Sequence, residues 1–400
     1  MRRADSGRLV VALLALLALL LQPSESRLTP ERGPGVSRTQ AATFDPLVLD
    51  GIRRGAFPGA ALVIGRRDTI LFAKGYGRLT WSASSSAVSV DSTLWDLASL
   101  TKVVATTPAL MLLVERGKVD LDAPVARYVP EFNGPGTAAI TVRHLLTHTS
   151  GLRGTLPLRE AADSAAALRM VLTTTPLVPP GTRMVYSDLN AILLGEIVLR
   201  VSGLPLDAFV TREMIIPLGL EQQMMFRPPP RLERAGRIAP TGLWHGHPVA
   251  GVVNDPNAAK LGGVAGHAGL FATATALARF AQFMLGEGEL TGRRLLKAET
   301  VRQFTRIAVP ARRGTSARTL GWEALPTGET VSSAGTLLGP RSYGHTGWTG
   351  TSLWIDPDRS LFIVLLTNRA FNPRARGSFT ALKEVRGRVA DAAARAVDAR

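Results

Sequence analysis

Extended apolar segments at the two ends of the chain constrain its fold more than any other feature. Residues 60–65 and 69–73 have the composition of two strands joined by a short turn, and residues 351–355 and 361–367 form a second such pair. Another strand is predicted within residues 343–349. Because most of the sequence between these pairs has helical character, we predict an α/β (α+β) fold. An antiparallel sheet built from both chain ends would be flanked by helices and interrupted by a large, mostly helical insertion.

The first 26 residues have the pattern of a secretory signal peptide. Three arginines precede an unbroken apolar run at residues 9–21, and Ser24 and Ser26 are small residues suited to cleavage after Ser26. The run is short for a membrane span, which needs about 20 residues. We therefore expect a secreted or periplasmic protein, with an uncleaved signal anchor and membrane association as the alternative. Residues 27–43 are predicted to be a flexible lead-in, and residues 44–400 to form one domain.

Composition excludes several classes of function. The 400-residue chain contains no cysteine, so disulfide and thiol chemistry are excluded. Its net charge is +16, but the arginines are spread along the whole chain, and no basic run has the interleaved aromatic residues typical of strand-binding proteins. We therefore expect no nucleic-acid partner.

Ser99 and Lys102 are the first candidate catalytic pair. An apolar run follows them, so Ser99 is predicted at the first turn of a helix, where residues three apart share a face. A lysine in that position can take the proton of the serine hydroxyl only if burial or a neighbouring cation lowers its pKa from about 10.4. The alternative is a capping serine followed by a solvated lysine.

Two later triplets are further candidate motifs, in addition to Ser99 and Lys102. Tyr186-Ser187-Asp188 precedes an apolar helix, and His345-Thr346-Gly347 lies near the C-terminal strands. With Ser-x-x-Lys, this order of motifs resembles the serine β-lactamase and penicillin-binding protein superfamily. Residues 120–125, 144–152 and 262–271 resemble segments of its class C β-lactamase-related branch, which includes D-alanyl-D-alanine carboxypeptidase-like proteins. The resemblance covers residues 44–370.

The resemblance implies a role for each matching position. Ser99 would be the acylated nucleophile, Lys102 its base, and Tyr186 the group that passes a proton to the leaving group. The oxyanion would lie between the amides of Ser99 and Trp348. The substrate would be flanked by the remaining motif residues, which are Asp188, His345, Thr346 and Gly347. No cofactor or metal is implied, and the other histidines lack the His-Glu-x-x-His pattern. His267, in a glycine-rich segment, is a candidate pocket residue.

Two positions depart from the family pattern. His345 stands where many β-lactamases have lysine, and Asp188 stands where asparagine is usual. The Asp188 side chain would either face Lys102 or cap the following helix. The resemblance implies a secreted serine hydrolase that forms an acyl-enzyme with D-alanyl peptides, β-lactams, or small esters or amides. The alternative is a non-catalytic envelope protein that binds peptidoglycan or a partner.

Overall fold

The structure is a computed structural model that describes residues 38–312, 316–325, 332–371 and 378–399. The predicted signal peptide lies outside these residues. The described α-helices are α1 (Arg38–Arg53), α2 (Thr107–Glu115), α3 (Val142–Leu146), α4 (Ser164–Leu172), α5 (Asp188–Ser202), α6 (Leu206–Val210), α7 (Pro230–Arg234), α8 (Pro256–Lys260), α9 (Ala274–Leu285), α10 (Ala298–Thr305) and α11 (Ser378–Asp398).

The strands are short except in one sheet. They are β1 (Gly59–Arg66), β2 (Ile70–Gly77), β3 (Trp95–Asp96), β4 (Met224–Phe226), β5 (Gly242–Trp244), β6 (His247–Val249), β7 (Leu270–Ala272), β8 (Glu289–Leu290), β9 (Arg293–Arg294), β10 (Glu323–Ala324), β11 (Tyr343–Thr346), β12 (Ser352–Asp356) and β13 (Leu361–Thr367).

The predicted sheet from both chain ends is confirmed. Six strands pair antiparallel in the order β10-β11-β12-β13-β1-β2, so the N-terminal hairpin joins the C-terminal strands where β1 meets β13. Leu62 lies opposite Leu365 in this pairing. Every residue of β13 and all but the last residue of β1 are buried. Helices therefore cover both faces of the sheet, which explains why these strands are continuously apolar rather than alternating.

Helices α1 and α11 pack together on one face of this sheet, and α9 packs on the other. Phe44 and Val48 of α1 share a hydrophobic cluster with Val385 and Val389 of α11. The predicted boundary of the lead-in was wrong, because α1 begins at Arg38 rather than near residue 44. The prolines and glycines that suggested a flexible segment all precede Arg38.

The insertion between β2 and β10 carries most of the remaining helices. It also holds a three-stranded sheet in the order β3-β7-β4, and β3 leads directly into the Ser99 segment. None of the described helices is by itself long and apolar enough to span a membrane, and only Asp188–Ser202 together with Leu206–Ile215, bent by 70°, meets that test as a pair.

Candidate active site

A strained turn places Ser99 at the start of a helix. Ala98 has a φ of +47°, in the left-handed region that residues with a Cβ rarely adopt. The buried carboxylate of Asp96 accepts a hydrogen bond from the Ala98 amide at 2.8 Å, and its other oxygen accepts one from the Asn254 amide at 2.6 Å. The chain then continues through a π-helical turn, Lys102–Thr106, into α2. Asp96 thus holds the turn that presents Ser99.

The side chain of Lys102 lies at the centre of the site. Its ammonium nitrogen is 3.1 Å from Ser99 Oγ, 2.8 Å from Asp188 Oδ1 and 3.3 Å from the carbonyl oxygen of His267. Since an ammonium has three N–H donors, these three acceptors use all of them. Lys102 is only 4% exposed, so the alternative of a solvated lysine is wrong.

The electrostatic surroundings of Lys102 differ from the sequence prediction. Burial lowers the pKa of Lys102, as expected, but electrostatic attraction to the Tyr186 oxygen and to the Asp188 carboxylate, together with the hydrogen bond to Asp188, outweighs burial, and the net pKa is raised. Lys102 is therefore a charged ammonium at neutral pH. It can accept the proton of Ser99 only in the molecules from which its own proton has first been removed.

Asp188 faces the lysine rather than capping the helix. It is the first residue of α5, and the residue at the N-cap is Ser187, whose hydroxyl donates to the Arg153 carbonyl at 2.7 Å. The capping alternative is therefore wrong. The carboxylate of Asp188 forms an ion pair with Lys102. The Asp188 side chain is 24% exposed, and the Lys102 side chain is buried.

The ring of Tyr186 is surrounded by basic side chains. Its centroid lies 4.9 Å from Lys102 Nζ, 5.6 Å from the guanidinium carbon of Arg318, 4.8 Å from the His148 ring and 5.7 Å from the His345 ring. Three of the predicted motifs are therefore brought together by this one aromatic ring. Arg318 and His148 were not predicted to belong to the site.

The His148 side chain holds the segment that follows Tyr186 through hydrogen bonds. Its Nδ1 accepts hydrogen bonds from the Ser187 amide at 3.2 Å and from the Asn190 side chain at 3.1 Å. Burial, followed by the charges of Arg318 and Lys102, lowers the pKa of His148 well below its ordinary value, so the ring is neutral. The only sequence signal for it was its place in the segment at residues 144–152.

The turn after β11 packs against the turn that precedes Ser99. Thr349 and Thr351 donate hydrogen bonds to the carbonyls of Asp96 at 2.7 Å and Leu97 at 2.9 Å, respectively. A Cβ at Gly347 would lie 2.5 Å from the Leu97 carbonyl oxygen, so only glycine permits this approach.

Two backbone amides at this junction remain available to a ligand. Among the described residues, neither the Ser99 amide nor the Trp348 amide donates to another protein group. The Trp348 side chain is 64% exposed, and the Arg369 guanidinium stacks on its ring at 4.7 Å. The predicted oxyanion donors are therefore unobstructed by internal hydrogen bonds.

His345 is buried and neutral. Its Nδ1 lies 2.8 Å from the Thr346 carbonyl oxygen, which identifies Nδ1 as the protonated nitrogen and leaves Nε2 as a hydrogen-bond acceptor. Burial, then the charges of Arg318 and Lys102, lowers the pKa of His345 to about 3. In this state His345 carries no charge with which to hold a substrate carboxylate.

The glycine-rich segment contributes a further pair beside Lys102. His267 Nε2 lies 3.1 Å from Asp255 Oδ1, while the His267 carbonyl accepts from Lys102. Asp188, Asp255 and His267 each place one potential ligand atom within 4.8 Å of the others. The Lys102 ammonium already supplies a cation to Asp188 at this cluster, so its geometry is explained without a metal ion.

The fold and this arrangement of serine, lysine and tyrosine are those of a serine hydrolase, and comparisons with known proteins support this class. Residues 43–386 match the family described as Beta-lactamase. A protein of Escherichia coli (strain K12) named "Putative D-alanyl-D-alanine carboxypeptidase" is 33% identical over 353 residues, which cover 80% of each chain.

Solved structures of other proteins share the fold. A penicillin-binding protein homologue from Caulobacter crescentus is 22% identical, with a TM-score of 0.69 over 88% of this chain and 98% of that one. A class C β-lactamase is 21% identical, with a TM-score of 0.68 over 87% and 95%. The chain therefore belongs to the β-lactamase family, as its motifs predicted, and is a serine hydrolase of that family.

Proposed function

We propose that this protein is an extracytoplasmic hydrolase that cleaves D-alanyl peptides, β-lactams, or small esters or amides through a covalent acyl-enzyme on Ser99. The observation that carries the proposal is the 3.1 Å separation between Lys102 Nζ and Ser99 Oγ at the start of a helix. The name of the Escherichia coli relative favours D-alanyl peptides derived from peptidoglycan within this set.

The proposed acylation begins with loss of a proton from the Lys102 ammonium. The neutral amine then accepts the proton of Ser99 as Oγ bonds to the acyl carbon. The oxyanion that forms receives hydrogen bonds from the amides of Ser99 and Trp348. Tyr186 protonates the leaving nitrogen or oxygen as its bond to the acyl carbon breaks, and Lys102 returns a proton to Tyr186.

Water completes the proposed cycle. It attacks the acyl carbon of the ester on Ser99, its proton passes to Tyr186 and Lys102, and Ser99 leaves with a proton regained from the same groups. Hydrolysis therefore consumes one water and returns Ser99 and Tyr186 to their protonated forms and Lys102 to the neutral amine with which acylation began; Lys102 becomes an ammonium again when it takes up a proton from solvent.

The predicted location outside the cytoplasm rests on residues 1–26 alone. N-terminal sequencing of the protein recovered from an envelope fraction tests it. A mature protein beginning after Ser26 supports secretion with cleavage, and an intact N-terminus in the membrane fraction supports the signal anchor.

A substrate panel tests the catalytic proposal. The purified protein is incubated with a fluorescent penicillin, peptides ending in D-alanyl-D-alanine, and short-chain esters, with the Ser99→Ala variant as control. Turnover that depends on Ser99 supports a hydrolase and identifies its substrate. Tight binding of peptidoglycan fragments without turnover or labelling would instead support the non-catalytic binding protein.

A further inference from the structure

A second cavity lies outside the site formed by the predicted motifs. It has a volume of about 620 Å³ and lies where the turn after β1, the end of α9, strand β9, helix α10, the segment before β11 and the turn after β12 meet. None of the residues that line it belongs to the three motifs. Natural sites for small organic ligands have volumes of roughly 300–1,000 Å³, so the cavity is large enough to hold one.

The floor of this cavity is apolar. Met284, Val301 and Tyr343 line it and are each at most 2% exposed. Leu285, which also lines it, is half-buried, and Ile307 is 48% exposed. Removing apolar surface from water is favourable, so these side chains would be stabilised by contact with an apolar ligand.

The rim of the cavity is basic. Glu287 is the single acidic residue among those that line the cavity, and it is outnumbered by five arginines, which are Arg67, Arg294, Arg302, Arg306 and Arg341. The guanidinium group is planar and presents several N–H donors, and it can bind a carboxylate or a phosphate through two parallel hydrogen bonds. The rim is therefore suited to an anionic group.

Two of these arginines have no close ion pair. Arg306 forms no ion pair with any residue that the structure describes, and Arg67 comes no nearer than 3.9 Å to an acidic oxygen. The other three arginines pair closely with the acids Glu289, Glu287 and Asp358. The rim therefore carries an excess of positive charge, which attracts an anion.

A buried hydroxyl in the same cavity also lacks a partner. Ser342 lines the cavity and is 1% exposed, yet its Oγ has no hydrogen-bond partner within the described part of the chain. Other buried serines are paired, since Ser150 Oγ donates to Asn190 at 2.6 Å and Ser187 Oγ donates to the Arg153 carbonyl at 2.7 Å. An unpaired buried hydroxyl costs free energy, so Ser342 indicates a ligand that accepts a hydrogen bond.

We propose that this cavity binds a small organic anion. The apolar body of the ligand packs on the floor, and its carboxylate or phosphate group accepts hydrogen bonds from the Ser342 hydroxyl and from the arginines of the rim. The floor excludes a purely ionic ligand as the best occupant, and the rim excludes a neutral one. The inference does not depend on the proposed function, because the cavity contains none of the groups that act on the substrate.

The test uses two fluorescent probes that differ only in charge. Anilinonaphthalene sulfonate has an aromatic body and one anionic group, and phenylnaphthylamine has the same body without the anionic group. Each is titrated into the purified full chain at low salt. The anionic probe should bind at a saturable site, with an affinity about tenfold or more above that of the neutral probe, the usual scale for hydrogen bonds to a charged group.

Two variants and a control locate the site. Ser342→Ala should weaken binding of the anionic probe by about tenfold with little change in melting temperature, because the hydroxyl has no partner among the described residues. Arg306→Gln should weaken it as well, without breaking an ion pair. The control is Arg293→Gln, which removes the same charge from an exposed residue that does not line the cavity.

Three outcomes would overturn the inference. Unchanged affinity for the anionic probe in both Ser342→Ala and Arg306→Gln would place its binding elsewhere. An equal loss in Arg293→Gln would indicate a general attraction to the positive surface. Displacement of the probe by inorganic phosphate as readily as by octyl phosphate would show that the apolar floor contributes nothing, whereas displacement by octyl phosphate alone would support the proposal.

Discussion

Replacing Asp188 by asparagine should make Lys102 a better base. The carboxylate oxygen lies 2.8 Å from the Lys102 nitrogen, and this contact favours the charged ammonium. Asparagine keeps an oxygen that accepts from Lys102 but removes the charge. Two unit charges about 4 Å apart attract by about 4 kcal/mol at an effective dielectric constant of about 20.

Only part of this attraction will appear in the kinetics. Asp188 is 24% exposed, so solvent screens the pair, and the asparagine dipole replaces some of the interaction. We expect about 1.4 kcal/mol of this attraction to be lost, which corresponds to a tenfold larger neutral fraction of Lys102. We therefore expect Asp188→Asn to acylate with a neutral ester about tenfold faster at pH 7, with its half-maximal rate at a lower pH than in the wild type.

The assay is the rate of acylation against pH, measured with one neutral ester and one anionic peptide. Removing a negative charge should also shift preference toward the anionic peptide. The control is Asp122→Asn, the same chemical change in an exposed ion pair with Arg143. If the pH profile and the preference of Asp188→Asn both match those of the wild type and the control, the electrostatic role of Asp188 is refuted.

Three further predictions follow from the same geometry. Lys102→Ala should slow acylation by about a hundredfold or more, and normal acylation in this variant would exclude Lys102 as the base. Gly347→Ala should reduce kcat with a smaller effect on melting temperature, because its Cβ would meet the Leu97 carbonyl oxygen at 2.5 Å and displace the turn. His345 has a folded-state pKa of about 3 and an ordinary value of 6.5, so the unfolded chain binds more protons as the pH falls below 6.5. This group should therefore cost about 3 kcal/mol of stability between pH 7 and pH 4, and urea midpoints that fall equally in the wild type and His345→Gln would contradict it.

The sequence predicted the elements whose signals are local. The sheet was predictable because its strands are long apolar runs bounded by turn residues, as in residues 361–367. Ser99, Tyr186 and His345 could be placed in one site because each belongs to a motif with a fixed internal spacing. Their contacts through the Tyr186 ring agree with that prediction.

The predictions that were wrong and the site residues that were missed depend on contacts between distant segments. The sign of the Lys102 pKa shift is set by Tyr186 and Asp188, which lie 84 and 86 positions along the chain, and spacing alone does not show which way their side chains turn. Arg318 and His148 approach Tyr186 from segments that have no catalytic pattern of their own. The Nε and Nη1 atoms of Arg318, for instance, are buried without a hydrogen-bond acceptor among the described residues, which becomes apparent only when all the neighbours are in place.

The most direct test of the account is the identity of the residue that becomes acylated. The purified chain is reacted with a penicillin or an activated phosphonate, and intact mass is followed by peptide mapping. We expect a single adduct on Ser99, because among the serines that the structure describes only this one combines a helix start with a lysine nitrogen at 3.1 Å and two free amides nearby. The adduct should be absent in Ser99→Ala. An adduct of the same mass that persists in Ser99→Ala would contradict the assignment of the nucleophile.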